Sequence, residues 1–139
     1  SDPTSAKNEN VSINFINNII NDYVSFTRLK ITYINDLERL DKKHAILLTN
    51  TIMVLQSLFP QGANINCELI DVNTLTIRAN NPTGKINAET LGDLQSRSSD
   101  KIKNIQVRYL NELAGIYRIK YEVISGDDNE TSIKFCNAN

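Results

Sequence analysis

Val54–Ala79, VLQSLFPQGANINCELIDVNTLTIRA, decides how the rest of the chain is read. It opens as the end of an apolar helix and breaks at Phe59-Pro60-Gln61-Gly62. Proline cannot continue a helix interior, and glycine supplies the permissive backbone that a helix exit needs. After the break, Ile65, Cys67 and Leu69 alternate with polar residues, as do Leu75 and Ile77 further on. Each set lines one face of a strand. The link Asp71-Val72-Asn73 suits a tight turn, because Asp and Asn tolerate turn conformations. The unit is therefore helix, Pro-Gly exit, β-hairpin.

Upstream, no Gly or Pro interrupts Val11 to Phe59. Ile19, Tyr23, Phe26, Tyr33, Leu37, Leu40, Leu47, Val54 and Leu58 recur at spacings of three, four and seven, a heptad-like seam that Lys30, His44 and Thr51 interrupt. An unbroken helix of that length exceeds the globular norm, and Asn35-Asp36 is the natural place for a break and a new N-cap. The expected organisation is a disordered or tag-derived segment over 1–10, a helical stalk over 11–36, and a domain over 37–139. Ile19, Tyr23, Phe26, Tyr33 and Leu37 are then the candidate interaction residues, since little domain remains to cover them.

Downstream, Asn80-Asn81-Pro82-Thr83-Gly84 reads as a loop and Asn87 as the N-cap of a short helix. Ile105, Val107 and Tyr109 alternate like a strand, Tyr117, Ile119, Tyr121 and Val123 like another, and Ser132 to Cys136 like a last one. Strand pairs with short links imply an antiparallel sheet with both helices on one face, an α+β fold.

The chain has 139 residues, 40% hydrophobic and 22% charged, which fits one domain with an ordinary core. A net charge of −1 gives no basic excess for phosphate contacts, so no nucleic-acid partner is expected. No apolar run approaches the ~18 residues that suggest a bilayer span. Cys67 and Cys136 have two readings: buried small hydrophobes, or a disulfide that would stabilise by on the order of 4 kcal/mol in the chain-entropy model. The lone His44 reads as a helix residue without ligand partners close in sequence. Gly84-Lys85 lacks the spacing of a phosphate loop, and Asp127, Asp128 and Glu130 lack that of a calcium loop. These patterns predict no catalytic, cofactor or metal residues and a protein that is not an enzyme.

The run from Leu55 to Ala79 resembles the periplasmic entry of PilN-like type IV pilus assembly proteins and GspL-related type II secretion proteins. Leu58-Phe59-Pro60-Gln61-Gly62 is similar to their helix exit, Asn73-Thr74-Leu75-Thr76-Ile77 to their second strand, and Ala88 to Leu94 to the helix that follows. The resemblance implies a ferredoxin-like domain, permuted as αββαββ with an added C-terminal strand and an N-terminal coiled-coil-like extension. It implies a periplasmic domain of an inner-membrane protein, with any membrane attachment through an anchor outside this chain. Its role would be a structural scaffold that homo- or heterodimerises, with itself or a PilO-like partner. The alternative is a small-molecule or peptide-binding module with a pocket lined by Tyr109, Tyr117 and Tyr121.

Overall fold

The computed structural model describes residues 9–33, 37–96, 98–126 and 129–137. Its central helix, α2 (Lys42–Leu58), ends two residues before Pro60, and the chain turns on Gly62 at φ +98°. Gly62 is required twice over. A side chain is strained at that φ, and a Cβ there would lie 2.5 Å from the Arg28 carbonyl oxygen. The hairpin follows as β4 (Ala63–Asp71) and β5 (Thr74–Asn80). The Asn73 N–H donates to the Asp71 carboxylate at 2.8 Å, which closes the turn.

The remaining elements are β1 (Asn10–Ser12), α1 (Ile13–Val24), β2 (Leu29–Tyr33), β3 (Arg39–Asp41), α3 (Ala88–Gln95), a 3-10 turn at Ser99–Lys101, α4 (Ile105–Tyr117), β6 (Ile119–Ser125) and β7 (Glu130–Asn137). β1 and β3 form a small antiparallel ribbon. The main sheet has five strands in the order β2-β4-β5-β7-β6. β2 lies parallel to β4, with Leu29 opposite Ala63 and Tyr33 opposite Cys67, and the other neighbours are antiparallel. A parallel pair needs a crossover, and α2 lies within the connection that supplies it. Ile65, Cys67, Leu75, Ile77, Ile133 and Phe135 are buried from the strands, and Leu47, Leu48, Ile52, Leu55, Val107 and Leu110 from the helices. Alternate positions such as Asn64, Asn66, Arg78 and Lys134 are exposed. The result is a two-layer sandwich with one solvated sheet face.

Three expectations are corrected here. The stalk over 11–36 is absent: α1 stops at Val24, and the segment that follows becomes an edge strand of the main sheet. Local hydroxyls end the helix without Gly or Pro. Ser25 Oγ donates to the Asp22 carbonyl and Thr27 Oγ1 to the Val24 carbonyl, while Thr27 Oγ1 accepts the Leu29 N–H. The proposed break at Asn35-Asp36 lies outside the described residues, as do residues 1–8 of the expected tag. Second, Ile105–Tyr109 is helix. Asn104 caps α4 by accepting the Val107 N–H at 3.1 Å, and Val107, Leu110, Leu113 and Ala114 form its buried stripe. A period-two pattern of three residues lost to a longer 3.6-residue pattern that overlaps it. With α4 in the helical layer and β2 in the sheet, the arrangement is not the permuted ferredoxin-like fold. Third, both cysteines are free. Cys67 faces Ile77, and Ile77 faces Ile133. Cys136 is therefore two strands away, three residues further on and on the opposite face, about 9 Å or more distant. A disulfide needs roughly 7 Å or less between Cα atoms.

Candidate functional site

The chain's one histidine stands at the start of α2. Asp41, the N-cap, accepts the His44 backbone N–H, and its Oδ2 lies 3.1 Å from His44 Nδ1. The Asp41 N–H in turn donates to the Val72 carbonyl in the β4–β5 turn, fixing the cap against the hairpin. A carboxylate at Nδ1 makes that nitrogen the donor and leaves Nε2 as the basic, nucleophilic one. Nε2, however, is buried without a hydrogen-bond partner, and the residue is 0% exposed. The pair has the electronic arrangement of a reactive histidine and no access to a substrate.

The N-termini of α2, α3 and α4 are also taken. Asn87 caps α3 by accepting the Thr90 N–H. At α4 the buried Asp93 carboxylate accepts the Lys103 and Asn104 N–H groups at 3.1 and 2.8 Å. A free helix N-terminus attracts phosphate. Here the protein's own side chains occupy the starts of α2, α3 and α4. Among the described residues, no cluster of His, Cys, Asp and Glu could hold a metal.

A groove of about 410 Å³ runs between α3, α4 and β6, lined by Leu94, Gln95, Asn111, Lys120 and Tyr121 among others. Tyr121 O–H donates to Asn111 Oδ1 at 3.1 Å, and its ring packs 5.6 Å from that of Phe135. The tyrosine-lined pocket of the alternative reading does not form. Tyr109 is half exposed on α4, and Tyr117 lies under the Lys43 ammonium, 5.9 Å from the ring centre. Burial raises the Tyr117 phenol, with Tyr109 adding to the rise and Lys42 opposing it.

The candidate interaction residues separate into two groups. Ile19 (44%) and Phe26 (91%) are exposed: Ile19 shares the outer side of α1 with Phe15 (60%), one turn before it, and Phe26 stands in the turn that follows the helix. Tyr23 is half-buried, its hydroxyl donating to Gln56 Oε1. Tyr33 faces inward from β2, where burial and the neighbouring Cys67 raise its phenol, and its hydroxyl is unpaired. Leu37 is half-buried against the core. Phe15, one helical turn before Ile19, was missed because the heptad count began one turn later. The Asp93 and Asn104 caps were missed because the strand reading of 105–109 hid the helix that they start.

The family model of the histidine phosphotransferase C-terminal domain matches residues 14–129. No curated protein sequence matches the chain. Among solved structures, a bacterial phosphotransferase is similar with a TM-score of 0.73 at 14% identity, over 94% of this chain and 66% of that one. The mycobacterial sensor histidine kinase MprB follows at 0.59 and 10%, over 91% and 94%. The cytoplasmic segment of the histidine kinase QseC gives 0.56 and 9%, over 94% and 78%. At such identities the likeness shows the fold alone, a mixed α+β sandwich of the histidine kinase and phosphotransferase kind. The chain spans 66% of the length of the bacterial phosphotransferase.

These findings overturn the pilus and secretion resemblance, and with it the ferredoxin-like fold, the scaffold role, the PilO-like partner and the non-enzymatic reading. The short motifs behind that resemblance, a Pro-Gly exit and a Leu-Thr-Ile strand, describe any helix that leads into a hairpin. The periplasmic placement rested on that resemblance and falls with it. Among the described residues no helix is long and apolar enough to cross a membrane. Of the partner expectation, protein partners in general stand and a PilO-like one does not. With the model spanning every strand of the main sheet except β7, the chain belongs to the histidine phosphotransferase C-terminal domain family.

Proposed function

We propose that this domain serves histidine-based phosphotransfer by docking a protein partner on the outer side of α1 and the turn after it, with the phosphoryl group carried by a histidine outside this chain, whose one histidine is His44. The family match over residues 14–129 carries this reading. The geometry supports it in two ways. His44 Nε2 is sealed in the core, so phosphorylation there would require the start of α2 to open. Phe15 and Ile19 on α1 and Phe26 in the turn after it together expose on the order of 400 Å² of apolar surface, the size of a functional patch on a monomer.

The test is phosphorylation of the full-length protein by phosphoramidate, with the modified histidine located by mass spectrometry, followed by transfer to its partner. Label outside His44, and transfer reduced about ten-fold or more by Phe26→Ser while labelling persists, is the expected result. Label on His44 in the folded protein overturns the assignment of the carrier. Unchanged transfer in a Phe15→Ser/Phe26→Ser double variant overturns the docking face.

A further inference from the structure

A second exposed face, on α4, is independent of the α1 reading. Ile105, Tyr109, Glu112 and Ile116 follow one another at four, three and four residues and therefore share one side of the helix. Ile105 is 79% exposed, Tyr109 50% and Ile116 72%, although Val107, Leu110, Leu113 and Ala114 on the opposite side are buried. Arg108 and Gly115, beside this row, are exposed too.

We propose that this face is a homotypic interface, with the α4 helices of two copies packed antiparallel about a twofold axis. Three observations select a second copy as the occupant. First, the row reads as its own complement when reversed: with the axis between Leu110 and Asn111, Ile105 meets Ile116 of the other copy and Tyr109 meets Glu112. Apolar ends then cover each other, and a phenol donor faces a carboxylate acceptor twice. An isologous interface needs such a self-complementary patch. Second, the charges complement each other in the same alignment. Glu112 of the other copy stands opposite Tyr109, one residue from Arg108, whose guanidinium donates to the Ile102 carbonyl of its own chain, and among the described residues neither Arg108 nor Glu112 has an ion-pair partner. Third, the missing side chain of Gly115 serves no packing inside its own chain: it stands in the last turn of α4, where its carbonyl accepts the Arg118 N–H, and a Cβ built on it meets nothing within 4 Å. A bare backbone on an exposed helix side lets a second helix approach closely.

The exposed apolar area is on the order of 400 Å² per copy, about half of what one partner buries in a standard stable interface. The contact therefore forms a reversible, concentration-dependent dimer, which further contacts in a longer protein would strengthen.

Sedimentation equilibrium of this chain over a concentration series tests the proposal. The wild type is expected to show a monomer–dimer equilibrium. Arg108→Glu and Glu112→Arg, each alone, place like charges across the twofold and weaken dimerisation about ten-fold or more, whereas the double exchange restores it. Gly115→Ala is expected to raise the melting temperature of the monomer and to weaken the dimer, two readouts moving in opposite directions. A chain that stays monomeric throughout, with α4 engaging only a different protein, overturns the proposal. A dimer that the charge variants leave intact and Phe26→Ser disrupts overturns it as well, and assigns self-association to α1.

Discussion

Gly62→Ala isolates the junction on which the sheet order depends. At φ +98° a residue with a Cβ loses roughly 1–2 kcal/mol from backbone strain alone. The new methyl would also stand 2.5 Å from the Arg28 carbonyl oxygen and 2.7 Å from its Cβ. Both atoms precede β2 immediately, so the relief available is to push β2 away from β4, at a further ~1–3 kcal/mol for a forced shift. The total is on the order of 3 kcal/mol, equivalent to a fall of about 10 °C in melting temperature for a domain of this size. Urea unfolding followed by circular dichroism measures it. Amide hydrogen exchange should show protection falling first in Leu29–Tyr33. Gly92→Ala in α3 is the internal control: nothing lies within 4 Å of its built Cβ, and alanine should stabilise the helix by up to about 1 kcal/mol. Equal effects from the two substitutions, or a loss below ~1 kcal/mol at Gly62, would refute the close-approach argument.

Leu47→Ala removes a fully buried side chain of α2 and should cost about 2–5 kcal/mol in the same urea titration. Asp41→Ala deletes both the N-cap of α2 and the partner of the buried His44, for about 3 kcal/mol, and Asp41→Asn should recover part of it in thermal melts. Burial pushes the Cys67 thiol up to about 12 from its ordinary 9.0. The folded state then holds its proton where the unfolded chain has lost it. This contribution is complete below pH 9 and disappears as pH rises toward 12, on the order of 4 kcal/mol in all. Alkaline melts should show it, with a shallower decline in Cys67→Ala. In native buffer a thiol reagent should label Cys136 and spare Cys67, both reacting after denaturation.

The stretch from Val54 to Ala79 was legible because each of its signals is local: a proline, a glycine, two alternations and an Asx-type turn. What surrounds it was not. Whether Leu29–Tyr33 continues a helix or joins a sheet depends on a partner strand more than thirty residues away, and the heptad count was blind to that partner. The hydroxyls of Ser25 and Thr27, which end α1, leave a weaker trace than glycine or proline would. At 105–109 two periodicities overlapped, and only the longer run to Ala114 separates them. The exposure of Ile19 on α1 and of Phe26 just after it was legible, because apolar residues at helical spacing stand out even when the helix is assigned the wrong length. The sealing of His44 was invisible in principle, since a buried and a solvated histidine are spelled alike.

The parallel pairing of β2 with β4 has a consequence for how the chain reaches its structure. Every other ladder of the main sheet can begin from a nearby hairpin or join one already made, but β2 can dock only when the crossover through α2 is in place and Gly62 has reached its left-handed turn. Its loop-closure cost is met before its hydrogen bonds form. Until that moment β4 is itself an open edge, offering Ala63–Asp71 as a template to any passing strand. The amino-terminal segment is thus a latch as much as a docking surface. Clipping the chain ahead of Leu37 would leave a hairpin-rich remnant with a bare, apolar margin, prone to stacking into fibrils.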